Sequence, residues 1–534
     1  MASKRSQAQF DSDMESGTGD TSPSTISSWT NTSPRKVRTE HVVGRPREET
    51  TPRRQSSLSA LSSKLGGRVK SWFPSRNQPV STMTPTDSVG ASGEQTRNLR
   101  SVAHRGVILD NSPFSPFIPD GLSPDQVLVY ETLIKVVKDR GDSDGPRVVP
   151  ITDLAKDYDD LAAMVVLKEL HRLRVIKLVG FVANLMPSHR RALFGRGALD
   201  SLQLTDIPIA KGTTGYPKIA YQGKVGAKQH QELPHEFRGM EEFPALEPEN
   251  KMLSDDGEGE KLLLKLFSEA AMTGKKLTLL LISSLEDIFT FSQNHPDKLQ
   301  EGLKNVILQG GYALNEEGTL VPAQDANNNR YDMYAAEKFH QFLQEKSIPS
   351  VVYTKVAAFA TPLYTDLFAE LEATGHPLGK HLRMVQVEQD LAFYSSACRK
   401  DPKMRFADYM DQKWYLTNKT SWFDNLDEKS PLYLSPTDPL YHAPDAPYPK
   451  GAQVIPYLTK VVVYDALAAL GSCGDDALEA LGILTTNAAH SPSIHKVVGS
   501  VGPPLDTGIN PEEMATALSA LLKGSLLASQ QAKQ

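Results

Sequence analysis

The chain has 534 residues, of which 23% are charged, and a formal net charge of only −6. Its length suffices for a large α/β core with extensions, and the near balance of charge predicts neither a nucleic-acid partner nor membrane-surface binding by the chain as a whole. Two cysteines, Cys398 and Cys473, lie outside any CxxC or Cys/His cluster, which argues against a disulfide scaffold or a structural zinc and for two reduced core thiols in a cytoplasmic protein.

Residues 1–105 are rich in Ser, Thr, Pro, Arg and Gly and lack apolar periodicity. Such composition buries too little apolar surface to offset chain entropy, so a disordered tail is expected. Its start, MASKRSQAQFDSD, has no apolar segment of a secretory signal, and no run of roughly 18 or more apolar residues occurs in the chain, so a soluble protein without a membrane span is expected. Arg53-Arg54-Gln55-Ser56-Ser57 and several Ser-Pro and Thr-Pro pairs suit a kinase; the tail is either a plain solvated extension or one regulated by phosphorylation. Residues 62–73 have the pattern of a short basic amphipathic helix, weakened by two glycines.

From about residue 106 the texture turns globular, and one domain is expected over 106–525. A buried strand at 148–151 precedes a helix at 161–173. Strands at 176–182, 207–210, 276–282, 306–309 and 349–353 alternate with helices at 262–271 and 335–345. This alternation predicts an α/β fold, a mainly parallel open sheet with helices on both faces, whose ligands bind beyond the carboxyl ends of the strands. Residues 218–257 and 398–450 break the rhythm and are expected to be insertions, lids or loops. Trp414, Tyr415, Trp422 and Phe423 in the second of these either stack on a ligand or pack the insertion onto the body. The last ten residues, SLLASQQAKQ, read as a helix end fraying into a tail.

The most informative stretch is Ile151-Thr152-Asp153-Leu154-Ala155-Lys156-Asp157-Tyr158-Asp159-Asp160-Leu161-Ala162-Ala163. Carboxylates packed this closely raise one another's pKa and are costly unless a positive charge sits among them. The helix N-terminus that follows supplies only a partial one. A hard divalent cation with oxygen ligands resolves the conflict; solvated side chains at an acidic helix start are the plainer alternative.

A strand, an aspartate cluster ending in Asp159-Asp160 and an apolar helix resemble the signature of the inosine–uridine-preferring nucleoside hydrolase superfamily, usually written DxDxxxDD. Counted back from Asp159-Asp160, Asp153 takes the first aspartate position and Ala155 replaces the second. With a loop two residues longer, Asp153 takes the second and Ile151 replaces the first; this register keeps the metal-binding aspartate and places Asp157 in the extra turn. Other segments over about 147–485 match in the family's order. Gly180-Phe181-Val182-Ala183-Asn184 resembles the strand and asparagine that contact ribose, and Ile207-Pro208-Ile209-Ala210-Lys211-Gly212 the IPVxxG strand. LTLLLISSLEDI at 277–288 resembles the strand and turn whose backbone carbonyl, here that of Glu286, ligates the metal. Val306-Ile307-Leu308-Gln309-Gly310-Gly311 resembles VVLMGG. Asn327-Asn328-Asn329-Arg330-Tyr331-Asp332 resembles the EFNxxxD segment, with Asn328 as its asparagine and Ala326 where the family has glutamate. Val463-Tyr464-Asp465-Ala466-Leu467-Ala468 resembles HDPLA.

The resemblance implies a calcium-dependent N-ribohydrolase acting on a small-molecule riboside. It implies Asp153, Asp160, the carbonyl of Glu286 and Asp465 as ligands of Ca2+, Asp159 as general base, and Asn184, Asn328 and Asp157 as substrate contacts. Tyr464 stands where the family's histidine protonates the leaving base, and tyrosine, with a reference pKa of about 10, is the poorer acid; His442 is a substitute candidate. The family also suggests a homo-oligomer. The departures at Ile151 or Ala155, according to register, and at Ala326 and Tyr464 keep a second function open, a catalytically degenerate ribosyl-ligand-binding or regulatory protein on the same fold. A dehalogenase-type phosphatase is disfavoured because Asp153 is followed by Ala155 rather than a second aspartate, and no P-loop motif occurs.

Overall fold

A computed structural model describes residues 116–141, 145–215, 230–245, 258–315, 319–424, 447–484, 494–499 and 506–532. The tail expected over 1–105, its motif at 53–57, the stretch 62–73, His442 and most of 218–257 lie outside the described residues. Helix α1 (Pro124–Arg140) starts on a capping box: the Ser123 hydroxyl accepts from the Gln126 N–H, and the Gln126 side chain accepts from the Ser123 N–H. Strand β1 (Arg147–Thr152), written RVVPIT, is buried from its second residue onward. Helix α2 (Tyr158–Arg172) follows the acidic loop.

The single strand expected over 176–182 is two pieces, β2 (Lys177–Leu178) and β3 (Phe181–Ala183). The N–H of Val179 still donates to Val148 in β1, whereas the N–H of Phe181 donates to Pro208. The chain changes partner at Gly180, where a Cβ would stand 3.2 Å from the Leu266 side chain.

Thereafter come α3 (Ser188–Ser201), β4 (Ile209–Lys211), α4 (Glu258–Thr273), β5 (Leu277–Leu281), α5 (Glu286–Asn294) and β6 (Leu303–Gln309). A small antiparallel pair, β7 (Tyr312–Leu314) and β8 (Leu320–Pro322), precedes α6 (Met333–Glu345) and β9 (Ser350–Tyr353). Strand β10 (Leu363–Tyr364), α7 (Pro377–Ala397), α8 (Gln412–Lys419), β11 (Lys460–Val461), α9 (Tyr464–Gly471), β12 (His495–Val498) and α10 (Pro511–Gln531) complete the named elements, with β10 antiparallel to β11.

The main sheet has eight strands in the order β12-β9-β6-β5-β1-β3-β4, with β2 beside β1, and its pairings are parallel. Strand order reverses at β1: the chain steps outward through β3 and β4, then returns to β5 and steps outward the other way. The crevice between the loops leaving β1 and β5 is the switch point where such sheets bind ligands. Alternate residues serve the two faces, as strand geometry requires. Val148, Leu280, Ile307 and Tyr353 join α2, α9 and α10 in one core, while Val149, Ile151, Leu279, Leu281, Val306 and Leu308 join α4, α5 and α6 in the other.

Two sequence expectations are corrected. The C-terminal helix does not fray from residue 525; α10 runs to Gln531 with Leu526, Ala528 and Ser529 buried. Its close approach to α1 requires Gly524, where a Cβ would stand 1.9 Å from the Tyr130 hydroxyl. Cys473 is buried as expected of a core thiol, but Cys398, one residue beyond α7, is exposed. No helix among the described residues is long and apolar enough to cross a membrane. Of the aromatic residues in 398–450, Tyr415 and Trp422 are buried in a satellite core with Tyr394 and Tyr448, with Trp414 and Phe423 packed against it.

His381 on α7 is 6% exposed, with its ring 5.3 Å from that of Phe194 and 5.2 Å from that of Phe243. Burial lowers its pKa to about 4 from about 6.5, against a bond to the Arg238 backbone. The unfolded chain therefore takes up a proton that the folded chain refuses, and stability drains away as pH falls from about 6.5 towards 4, being whole above that window. We expect His381→Gln to lose less stability than the parent between pH 7 and pH 4.5, by up to ~3 kcal/mol. Urea unfolding at both pH values checks this; identical losses would refute it.

Candidate active site

Strand β1 ends at Thr152 in mid-sheet, and Asp153 is the first residue beyond it. The Asp153 N–H donates to Asp160 Oδ1 at 3.1 Å, and the Thr152 hydroxyl donates to the same oxygen at 2.5 Å, so the strand end aims this first-turn carboxylate of α2. Between them the chain turns sharply. The Lys156 N–H donates to the Asp153 carbonyl at 3.1 Å, and Ala155 takes φ +69°, a left-handed conformation costing an L-residue about 1–2 kcal/mol.

Arg191 of α3 holds that turn from outside. Its guanidinium, wholly buried, donates to the carbonyls of Asp153 (3.2 Å), Leu154 (2.9 Å), Leu185 (3.2 Å) and Met186 (3.0 Å), and pairs with Glu236 at 2.7 Å. The His235 ring lies 3.0 Å from the Lys156 carbonyl.

Asp157 is the N-cap residue of α2, and Asp159 and Asp160 lie in its first turn. Helix α9 packs along α2 and carries Asp465 in its own first turn. Carboxylate oxygens of Asp157, Asp159, Asp160 and Asp465 thus come within 4.8 Å of one another. Burial, then Asp157 and Asp465, push the Asp159 carboxyl well above the usual range. Burial, then Asp153 and Asp465, do the same to Asp160, and burial, then Asp157 and Asp153, to Asp465. Asp157 goes the other way: burial opposes its ionisation, but the Lys156 ammonium and hydrogen bonding outweigh burial. Asp153 Oδ1, Asp157 Oδ1 and Asp160 Oδ2 are buried without a hydrogen-bond partner. Crowded anionic oxygens with vacant lone pairs are the donor set a hard divalent cation takes.

The remaining residues singled out in the sequence lie at the same carboxyl edge or next to the cluster. Register places Thr152 beside Ala183, and the Asn184 N–H donates to the Thr152 carbonyl at 3.0 Å. Asn184 is fully buried; its amide donates to the Ser284 carbonyl (2.9 Å) and Asp287 (2.8 Å), and its oxygen accepts from the Ser283 hydroxyl (2.5 Å). Glu286 opens α5 and is buried. Asn328, in the helix Asn327–Tyr331 beyond β6, donates to the Gln309 side chain at 2.8 Å. Tyr464 precedes Asp465, half-buried and edge-on to Phe359 with ring centroids 5.8 Å apart. Burial, then Asp159, raise its pKa well above the phenol range.

Sequence reasoning missed Arg191, Asp287 and Lys156. The Lys156 ammonium lies 3.2 Å from Asp153 and 3.0 Å from Asp157. A lone lysine inside an acidic motif was the available signal.

No protein-family model matches this sequence, and no curated protein matches it. Solved structures do match. The type III effector protein XopQ, solved complexed with adenosine diphosphate ribose, is 21% identical with a TM-score of 0.58, covering 76% of this chain and 100% of its own. The effector protein XOO4466 is 20% identical with a TM-score of 0.57, covering 76% and 99%. The parallel sheet, its strand order and these two matches decide the fold. This chain has the nucleoside-hydrolase fold. A purine-preferring ribonucleoside hydrolase from Gardnerella vaginalis also aligns, 14% identical with a TM-score of 0.41, covering 71% of this chain and 99% of its own. Within this fold the sequence is divergent, and its lysine-bearing acidic turn lies at the switch point of the sheet.

Proposed function

We propose that this chain hydrolyses the N-glycosidic bond of ribosides, with calcium held by the acidic cluster and the reaction carried by residues 106–525. The observation that supports it is the meeting of four carboxylates, three of them buried and Asp157 half-buried, three from the turn and start of α2 and one from α9, within 4.8 Å at the carboxyl edge of the sheet. Asp160 and Asp465, with Asp153 and the Glu286 carbonyl, are the proposed ligands; Asp157 touches both the cluster and Lys156. When bound, calcium supplies a Lewis acid that polarises water and the ribose hydroxyls.

The protein's own groups do the rest. Asp159, its proton affinity raised by burial and neighbouring carboxylates, takes the proton from the attacking water. The surrounding carboxylates stabilise the cationic character that develops on ribose as the bond breaks. Asn328 and Asp157 orient ribose, while Asn184, whose two amide N–H groups are engaged, contacts it through its amide oxygen, which also accepts from Ser283. Tyr464 faces the departing base as a weak acid, its pKa pushed up by burial. Ribosides whose base leaves neutral without accepting a proton, such as cationic nicotinamide ribosides, suit that arrangement best.

A second reading, ribosyl-ligand binding without turnover, is favoured by one observation, the Lys156 ammonium seated between Asp153 and Asp157. The test separates the two. Release of the free base by the full chain is measured on purine, pyrimidine and nicotinamide ribosides and on adenosine diphosphate ribose, with calcium and with chelator. Release that stops with chelator is expected, fastest on the nicotinamide riboside. Saturable binding of any of these with no release would replace the hydrolase with the binding protein.

A further inference from the structure

Lys156 is the cation that this acidic pocket already contains. Its ammonium contacts Asp153 Oδ2 and Asp157 Oδ2 and lies 5.7 Å from the centre of the Tyr331 ring. The side chain is 16% exposed. Its placement is built rather than incidental: the left-handed Ala155 turns the chain, Arg191 grips the two carbonyls before it, and His235 meets its own carbonyl. Asp153, a proposed ligand, and Asp157, a member of the acidic cluster, are the points of conflict. One Asp157 oxygen accepts from Lys156, and the same carboxylate belongs to the group of four that lie within 4.8 Å. A divalent cation held by Asp153, Asp160 and Asp465 must share Asp153 with a fixed ammonium, beside an Asp157 that the same ammonium holds, and sit close to a like charge. In a partly desolvated pocket that repulsion is far stronger than in water.

We propose that Lys156 is an internal competitor of the metal: it neutralises Asp153 and Asp157 in the metal-free protein and holds divalent-cation affinity down, so that the site loads only where cation is plentiful. This rests on the metal site proposed above. It has two consequences. The metal-free pocket tolerates its crowded carboxylates because one positive charge is always present. Removing that charge makes the fold depend on added cation.

Calcium chloride titration by calorimetry, terbium luminescence and thermal melting of the full chain test this, with no reliance on turnover. Lys156→Met is expected to bind calcium and terbium on the order of tenfold more tightly than the parent, or more. It should also melt lower than the parent in chelator and recover when calcium is added. Lys156→Arg, which keeps the charge, is expected to retain the parent's weak affinity, a difference that a purely structural role for the side chain would not produce. Lys156→Gln serves in place of Lys156→Met should the latter not fold. Adding Asp160→Asn to either neutral variant is expected to abolish the tight binding. Equal affinity in parent and neutral variants would overturn the role of Lys156 and leave the proposed metal site standing. No binding in any of them would overturn both.

Discussion

Asp159→Asn is expected to lower kcat for riboside hydrolysis by roughly 100- to 10,000-fold, the usual share of a general base, while raising the melting temperature of the metal-free protein. An amide has nearly the shape of the carboxylate but takes no proton from water. The stability gain has a separate cause. Asp159 is buried beside Asp157 and Asp465, and both its burial and these neighbours disfavour its charge. Removing that charge relieves the apo protein, and a gain of ~1 kcal/mol moves the melting temperature by about 2 °C in a chain of this size. Opposed effects of this kind mark residues kept for activity rather than stability. Turnover unchanged in Asp159→Asn would remove the residue from the mechanism. A lower melting temperature in chelator would show instead that its carboxylate holds the loop together.

Arg191→Met is expected to destabilise the fold by ~3–5 kcal/mol, the range for breaking one side of a buried ion pair. The guanidinium is 0% exposed and is the shared donor for carbonyls of Asp153, Leu154, Leu185 and Met186, and the ion-pair partner of Glu236. Methionine fills much of the volume yet strands those acceptors away from water. Because Asp153 and Leu154 belong to the acidic turn, the same change should blunt calcium binding in the variant that still folds. Glu236→Gln, which keeps a hydrogen-bond acceptor, should cost less. Coupling in the double variant measures the pair itself. Urea unfolding gives the numbers; a loss under ~1 kcal/mol for Arg191→Met would mean that water replaces the guanidinium.

The sheet was legible where the chain carries its own punctuation. RVVPIT followed by an acidic turn announces a buried strand ending at a ligand edge, and β5, β6 and β9 stand out as apolar runs for the same reason. The break between β2 and β3 was not legible, since Gly180 reads as one weak residue inside an apolar run and its cause, the change of partner from Val148 to Pro208 with the Leu266 side chain alongside, lies in other segments. Similarly, the last ten residues read as a fraying helix end, because nothing local to them says that α1 packs against α10 at Gly524. Within the site, Asp153, Asp157, Asp159 and Asp160 are consecutive enough to be noticed as a cluster. The partners of Asn184 are not, because Asp287 stands 103 positions away and the contact exists only after β3 and β5 have been placed on either side of β1. Lys156 was visible as a residue, but nothing local says that a left-handed alanine turns it back onto Asp153.

The packing of α9 along α2 also sets a schedule. The Tyr158 hydroxyl donates to the Val462 carbonyl, two points 304 positions apart in the chain. At ~5–20 residues per second, synthesis of that interval occupies tens of seconds. During that time the acidic turn has already emerged, yet Asp465 does not exist. A nascent chain stopped short of α9 carries β1, the turn and α2 with its carboxylates still open to water, and it lacks the crowding that defines the pocket. The site is therefore among the last things this polypeptide acquires, and any truncation that spares the first aspartates but removes α9 yields a chain with the motif and without the fourth carboxylate of the cluster.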